Sequence, residues 1–169
     1  MEKEIVIIDS AKIKWKGHFD FKVLYNKLKD WLVNEGYGEP KEKLYAEKIK
    51  PTGSKNMEIV WTASKIEEDY FGLLIKIQFF GINIEDVEVT NDEGKKLKLN
   101  NGEIEIKFTS VLTLDINSRF GKGPNISIQQ KFYEKYIILD NIEKQKIELY
   151  EKTMDIIDLT KNYLNLYRL

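Results

Sequence analysis

Residues 70–82, YFGLLIKIQFFGI, are the longest apolar stretch of the chain, and their alternation restricts the fold more than any other feature. Phe71, Leu73, Ile75, Ile77 and Phe79 fall on one face at a period of two. Tyr70, Gly72, Leu74, Lys76, Gln78 and Phe80 fall on the other. Lys76 and Gln78 in the middle argue against a membrane span, and a helix would set Gln78 on the stripe of Phe71, Leu74 and Ile75. Aromatic and β-branched residues in clean alternation predict a strand. Its second face is also partly apolar, so the strand is expected at the centre of a sheet, covered at least partly on both sides.

The flanking segments repeat the pattern. Met57, Ile59, Trp61 and Ala63 alternate with Glu58, Val60 and Thr62, and Val87 and Val89, then Leu97 and Leu99, alternate with charged or polar residues. The longest series is Ile104, Ile106, Phe108, Leu112, Leu114 and Ile116. NDEG at 91–94, NNG at 100–102 and IKPTGSKN at 49–56 read as turns. None of these connections can hold a crossover helix, so 41–116 is expected to be an antiparallel meander. One or two further strands lie in 3–16, with Ile5 and Ile7, then Ala11, Ile13 and Trp15 alternating with Lys12, Lys14 and Lys16. Asp20 reads as an N-cap for a helix over 20–35 with Val23, Leu24, Leu28, Trp31 and Leu32 at helical spacing, stopped by Gly36. From 126 to 167 the chain is helical: Ile142, Leu149, Ile156 and Tyr163 recur every seven residues beside Tyr150, Ile157 and Leu164. Asp140 or Asn141 would cap a second segment after a break near 139–141.

The fold class is therefore α+β in a single domain, 1–169: a curved antiparallel sheet of about six to seven strands, one helix after the N-terminal strands, and a long C-terminal helix packed on the sheet. This order of elements resembles the START/Bet v1-like helix-grip superfamily, in which a curved antiparallel sheet wraps a C-terminal helix and often encloses an apolar ligand cavity. The resemblance spans about 3–167 and rests on element order, without a sequence motif. That superfamily usually carries two short helices after the first strand, where this chain shows one, so no functional residue is carried over.

With 42% hydrophobic and 33% charged residues, the 169-residue chain is too apolar for disorder and long enough for one core. The net charge of −1, with Arg only at Arg119 and Arg168, gives no general attraction to nucleic acid or anionic lipid. The absence of Cys excludes a disulfide framework, a Cys-based metal site and a Cys nucleophile. MEKEIVIIDSAKIKW lacks the features of a secretory signal, so a cytoplasmic location is expected.

Chemistry is sparsely marked. His18 is the only histidine; paired with Asp20 it lacks a nucleophile, and alone it cannot build a multi-His metal site. The loop RFGKGPN sets Arg119 and Lys122 beside glycines, a candidate anion cradle that does not match a P-loop. The Lys12, Lys14 and Lys16 ladder, with Lys41, Lys43, Lys48 and Lys50, could form a basic stripe, which the interspersed Glu42 and Glu47 dilute. No nucleophile–base pair, metal cluster or cofactor fingerprint emerges, so no catalytic residue and no cofactor is assigned. Trp61, Phe71, Leu73, Ile75, Phe79 and Phe108 are the candidate lining of an apolar cavity, or else plain core. Lys76, Gln78 or Tyr70 would orient a guest only if their face were the inner one.

Two functions are expected on these grounds. The first is non-catalytic binding of a small apolar molecule or lipid between sheet and C-terminal helix. The alternative is a protein–protein interaction or assembly subunit, a homo-oligomer included, that uses the C-terminal helix or a sheet edge.

Overall fold

The computed structural model describes residues 1–121 and 123–168. Five strands form one antiparallel sheet: β1 (Lys3–Phe19), β2 (Lys41–Ile49), β3 (Lys55–Glu67), β4 (Phe71–Thr90) and β5 (Lys96–Leu114). Their order is β1-β5-β4-β3-β2, so the strand begun by YFGLLIKIQFFGI is central. Three helices complete the fold: α1 (Phe21–Asn34), α2 (Pro124–Tyr136) and α3 (Leu139–Asn165).

The strand count is five where the alternation suggested six to seven, because of three expected breaks two are bulges and one is continuous pairing inside long strands. In β4 the register shifts between Ile82 and Glu85 around Asn83, whose φ is 52°. An extra residue there bends the strand without ending it, so 70–82 and 86–90 become one element. In β1, Ser10 takes φ 50° between Ile8 and Ala11. NNG at 100–102 does not turn the chain: Asn100 and Asn101 pair with Asp86 and Glu85 on β4 and with Phe19 and His18 on β1. Gly102 is needed for a different reason. A Cβ at that position would stand 2.7 Å from the Asn83 carbonyl oxygen, so only glycine admits the bulged strand. The NDEG turn forms as expected, with the Asn91 side chain accepting from the Glu93 and Lys95 N–H groups.

Helix α1 begins and ends for the reasons its sequence gives. The Asp20 carboxylate accepts from the Val23 N–H at 3.1 Å. At the other end Gly36, with φ 88°, donates to the Val33 carbonyl while Tyr37 donates to that of Leu32. This pair closes a Schellman motif that a Cβ-bearing residue would strain. The C-terminal helix is broken at Ile137–Ile138, slightly before the expected 139–141. Ile138 is the N-cap of α3 and makes no side-chain cap bond; Asp140 lies within the first turn and is not the cap.

One face of the sheet carries the helices. Phe71, Leu73, Ile75, Ile77 and Phe79 are buried there with Ile59, Trp61, Ile106 and Phe108. From α3, Ile142, Leu149, Ile156, Ile157, Tyr163 and Leu164 meet them, whereas Tyr150 points outward. Thr153 and Thr160 sit on the same buried stripe; their hydroxyls donate to the Leu149 and Ile156 carbonyls one turn back, which makes burial of two polar groups tolerable. Each fully buried large side chain contributes roughly 1.5–3 kcal/mol, so this layer dominates stability. On the opposite face Leu74, Lys76, Gln78 and Phe80 are only half-buried. Lys107 there shields Phe80 from 5.1 Å. Among the described residues no helix is long and apolar enough to cross a membrane.

Candidate functional site

The six residues expected to line a cavity are at most 1% exposed and belong to one packed cluster. The Trp61 ring meets Phe79 at 5.0 Å and the α1 residue Tyr25 at 4.4 Å, both edge-on. Lys76 and Gln78 are on the face away from the helices, while Tyr70 is buried at the start of β4.

His18 and Asp20 are separately engaged. The His18 carbonyl accepts from Trp15 Nε1, and its ring borders an open hollow of about 370 Å³ shared with Lys14, Lys16 and Arg168. Asp20 caps α1, and its carbonyl accepts from the Tyr163 hydroxyl. In the lysine ladder, Lys14 and Lys16 face Glu105 and Glu103 at 3.8 and 3.5 Å across the β1–β5 pair. Lys41, Lys43 and Lys48 lie on β2, an edge strand exposed along its whole length. The β2–β3 register shifts between Glu42 and Leu44. Charge and a bulge on an edge both oppose strand addition. Among the described residues no group of three or more His, Cys, Asp or Glu could hold a metal ion.

The Arg119 guanidinium lies 5.4 Å over the Tyr133 ring and donates from Nη1 to its hydroxyl at 3.4 Å. Lys122 lies outside the described residues. What Arg119 introduces is a different arrangement, built where β5 ends. Asp115, buried and at φ 56°, accepts from the Arg119 and Phe120 N–H groups and from the Met1 amino group. These bonds hold Arg119 and Phe120 in place, and α2 starts at Pro124, a proline preset for a first turn.

Helix α2 then lies with its polar side inward. Gln130 and Glu134 are 5% and 6% exposed; Ile128, Phe132 and Tyr136 are 69%, 58% and 64% exposed. The buried pair is fully engaged. The Tyr70 hydroxyl donates to Glu134 at 2.8 Å, and Gln130 Nε2 donates to Glu134 and to the Met1 carbonyl, each at 2.9 Å. Lys3 adds an ion pair to Glu134 at 3.3 Å. Burial, then the hydrogen bond to Glu134, pushes the Tyr70 hydroxyl well above the usual tyrosine range, so it stays a donor. Tyr133 and Phe120 complete the seat, their rings 5.7 and 6.5 Å from Tyr70.

The outward side has the opposite character. Ile128, Phe132 and Tyr136 recur every four residues and so form one stripe, with Phe132 and Tyr136 rings 4.9 Å apart. Lys131 and Lys135 flank it, and the exposed Ile137 and Leu139 extend it into the helix break. Treating 126–167 as one apolar helix hides this inversion. The signal is present in ISIQQKFYEKY, where two stripes of the same period compete, 128/132/136 and 130/134.

Comparison with family models, curated proteins and solved structures finds no match to this chain. The functional reading therefore rests on the geometry alone.

Proposed function

We propose that the chain is a protein–protein interaction module whose docking element is α2. The observation that carries this reading is the inversion of that helix. A surface helix ordinarily buries its apolar stripe and exposes its polar one. Here four polar or charged groups, Tyr70, Gln130, Glu134 and Lys3, hold the inner side, and three large apolar side chains are left in water. Exposed contiguous apolar surface of this kind marks an interaction site. The sheet edge β2, guarded by lysines and a bulge, is the weaker candidate.

The test is the double variant Ile128→Ser/Phe132→Ser. It is expected to fold as the wild type does, judged by circular dichroism, and to lose the association, with itself or with a partner from its own host, that the wild type shows. Equal association by both proteins would dismiss α2 as the docking element.

A second reading has one observation in its favour. Ser110 Oγ and Gln145 Oε1 are buried with no hydrogen-bond partner among the described residues. A few such polar atoms in apolar surroundings are what orients a small guest. In a helix-grip arrangement the guest would lie between sheet and α3, with Trp61, Phe71, Leu73, Ile75, Phe79 and Phe108 as its wall, and it would require that packed cluster to open. Native mass spectrometry of protein purified from its own host decides it: a ligand-free monomer would rule the guest out.

A further inference from the structure

We infer that the partner of α2 is a second copy of this chain, seated so that each copy's α2 stripe packs on the other's α3. The inference rests on the docking role proposed for α2 and adds the identity of the occupant. It comes from the outer side of α3, which is the chemical complement of α2. Ile147 and Tyr150 are exposed there, one turn apart. Around Ile147 an open groove of about 550 Å³ is lined by Asp140, Glu143, Lys144, Glu148 and Glu151. One helix thus offers apolar side chains bordered by Lys131 and Lys135, and the next offers an apolar floor bordered by a carboxylate excess.

The two surfaces do not meet within this chain: both are exposed on helices that follow each other across Ile137–Ile138. They can meet between two chains. A two-fold axis beside the helix break sets α2 on α3 of the second copy and, by symmetry, α3 on its α2. Every favourable contact then occurs twice, and the arrangement closes at two copies.

The area is adequate. Half of an aromatic side chain's ~200 Å² is about 100 Å². With Ile137 and Leu139 the exposed apolar side chains of the two helices number seven, so each copy offers roughly 600–700 Å², near the ~800 Å² per partner of a standard interface. The flanking charges set register and orientation more than affinity.

A charge-swap experiment on the full chain tests this. Lys131→Glu/Lys135→Glu leaves both facing surfaces acidic; Glu143→Lys/Glu151→Lys leaves both basic. Sedimentation across the micromolar range is expected to show a wild-type dimer. Each variant alone should dimerise about tenfold or more weakly, and an equimolar mixture of the two should recover the dimer as a heterodimer. All four positions are exposed, and circular dichroism confirms that the variants fold. A monomeric wild type overturns the inference, as does a dimer that neither variant weakens or a mixture that stays monomeric. In the first case, loss of another bound protein on Phe132→Ser would still uphold α2 as a docking element; no such loss would remove both readings.

Discussion

Helices α2 and α3 are consecutive, joined through two residues, and of similar composition, yet they turn opposite sides to the molecule. Helix α3 buries Ile142, Leu149, Ile156 and Tyr163, with two threonines satisfied by their own helix. Helix α2 buries Gln130 and Glu134 and turns Ile128, Phe132 and Tyr136 to water. What differs is the surface each meets. Helix α3 lies on the apolar face of β1, β5 and β4, so burial of its apolar stripe sets its orientation. Helix α2 lies at the end of the sheet, over Tyr70, Asp115, Lys3 and the chain's first residue, where the groups to be satisfied are polar. The orientation of a helix is decided by its seat as much as by its own pattern, and the inverted helix leaves its apolar stripe in water.

The largest expected effect breaks the α3 side of this contrast. Leu149→Ala removes a fully buried side chain and leaves a cavity against the sheet, so urea unfolding should show a loss of about 2–5 kcal/mol. A loss below 1 kcal/mol would mean that α3 does not anchor the core. On the α2 side, Glu134→Ala leaves the buried Tyr70 hydroxyl without its acceptor and takes one of two acceptors from the Gln130 amide, at a cost of about 1–3 kcal/mol. Glu134→Gln keeps an oxygen for Tyr70 and should cost less. Hydrogen exchange can localise the loss: faster exchange is expected in α2 amides while α3 stays protected.

Alkali should act through three buried tyrosines: Tyr70 beneath α2, Tyr163 on α3 and Tyr37 just after α1. Burial above all raises Tyr37, Tyr70 and Tyr163 beyond the ordinary tyrosine value, with carboxylates near Tyr37, the bond to Glu134 at Tyr70 and the bond to Tyr167 at Tyr163 adding to it. A raised folded value favours the protonated form. The stabilisation is therefore complete below the unfolded value near 10 and is lost as pH rises through the folded values. Tyr45, hydrogen-bonded to Glu47 on the exposed strand β2, is pushed up to about 12. In a near-ultraviolet titration the three buried tyrosines should ionise only with unfolding, and Tyr45 before it. Their ionisation in a protein that stays folded would contradict the burial described for them.

Much of this architecture was readable in the residues. Alternation found the central strand and its buried face, Asp20 and Gly36 bounded α1, and the seven-residue recurrence found the stripe of α3. The strand count was not readable, because a bulge at Asn83 and a turn at Asn91 carry similar local chemistry; only the long-range pairing of Asn100 and Asn101 with two neighbours tells them apart. The helix break was readable to within a few residues, but its place at Ile137–Ile138 was not, since neither proline nor glycine marks it. The inversion of α2 depends on Tyr70 and Asp115, far away in sequence, and no window on residues 124–136 contains them.

The smallest expected change in stability is the most informative about function. Phe132→Ser replaces an aromatic ring that is more than half exposed and that meets the Tyr136 ring. A surface substitution away from caps, cores and networks stays within about 0.5 kcal/mol, and here serine also relieves water of apolar area. Measured at a concentration low enough for the wild type to be monomeric, the unfolding free energy should hardly move. Measured where the wild type is associated, the wild type gains stability by mass action and the variant does not, so a gap should open with protein concentration. A gap of the same size at every concentration would mean that Phe132 supports its own fold and that α2 is an ordinary helix.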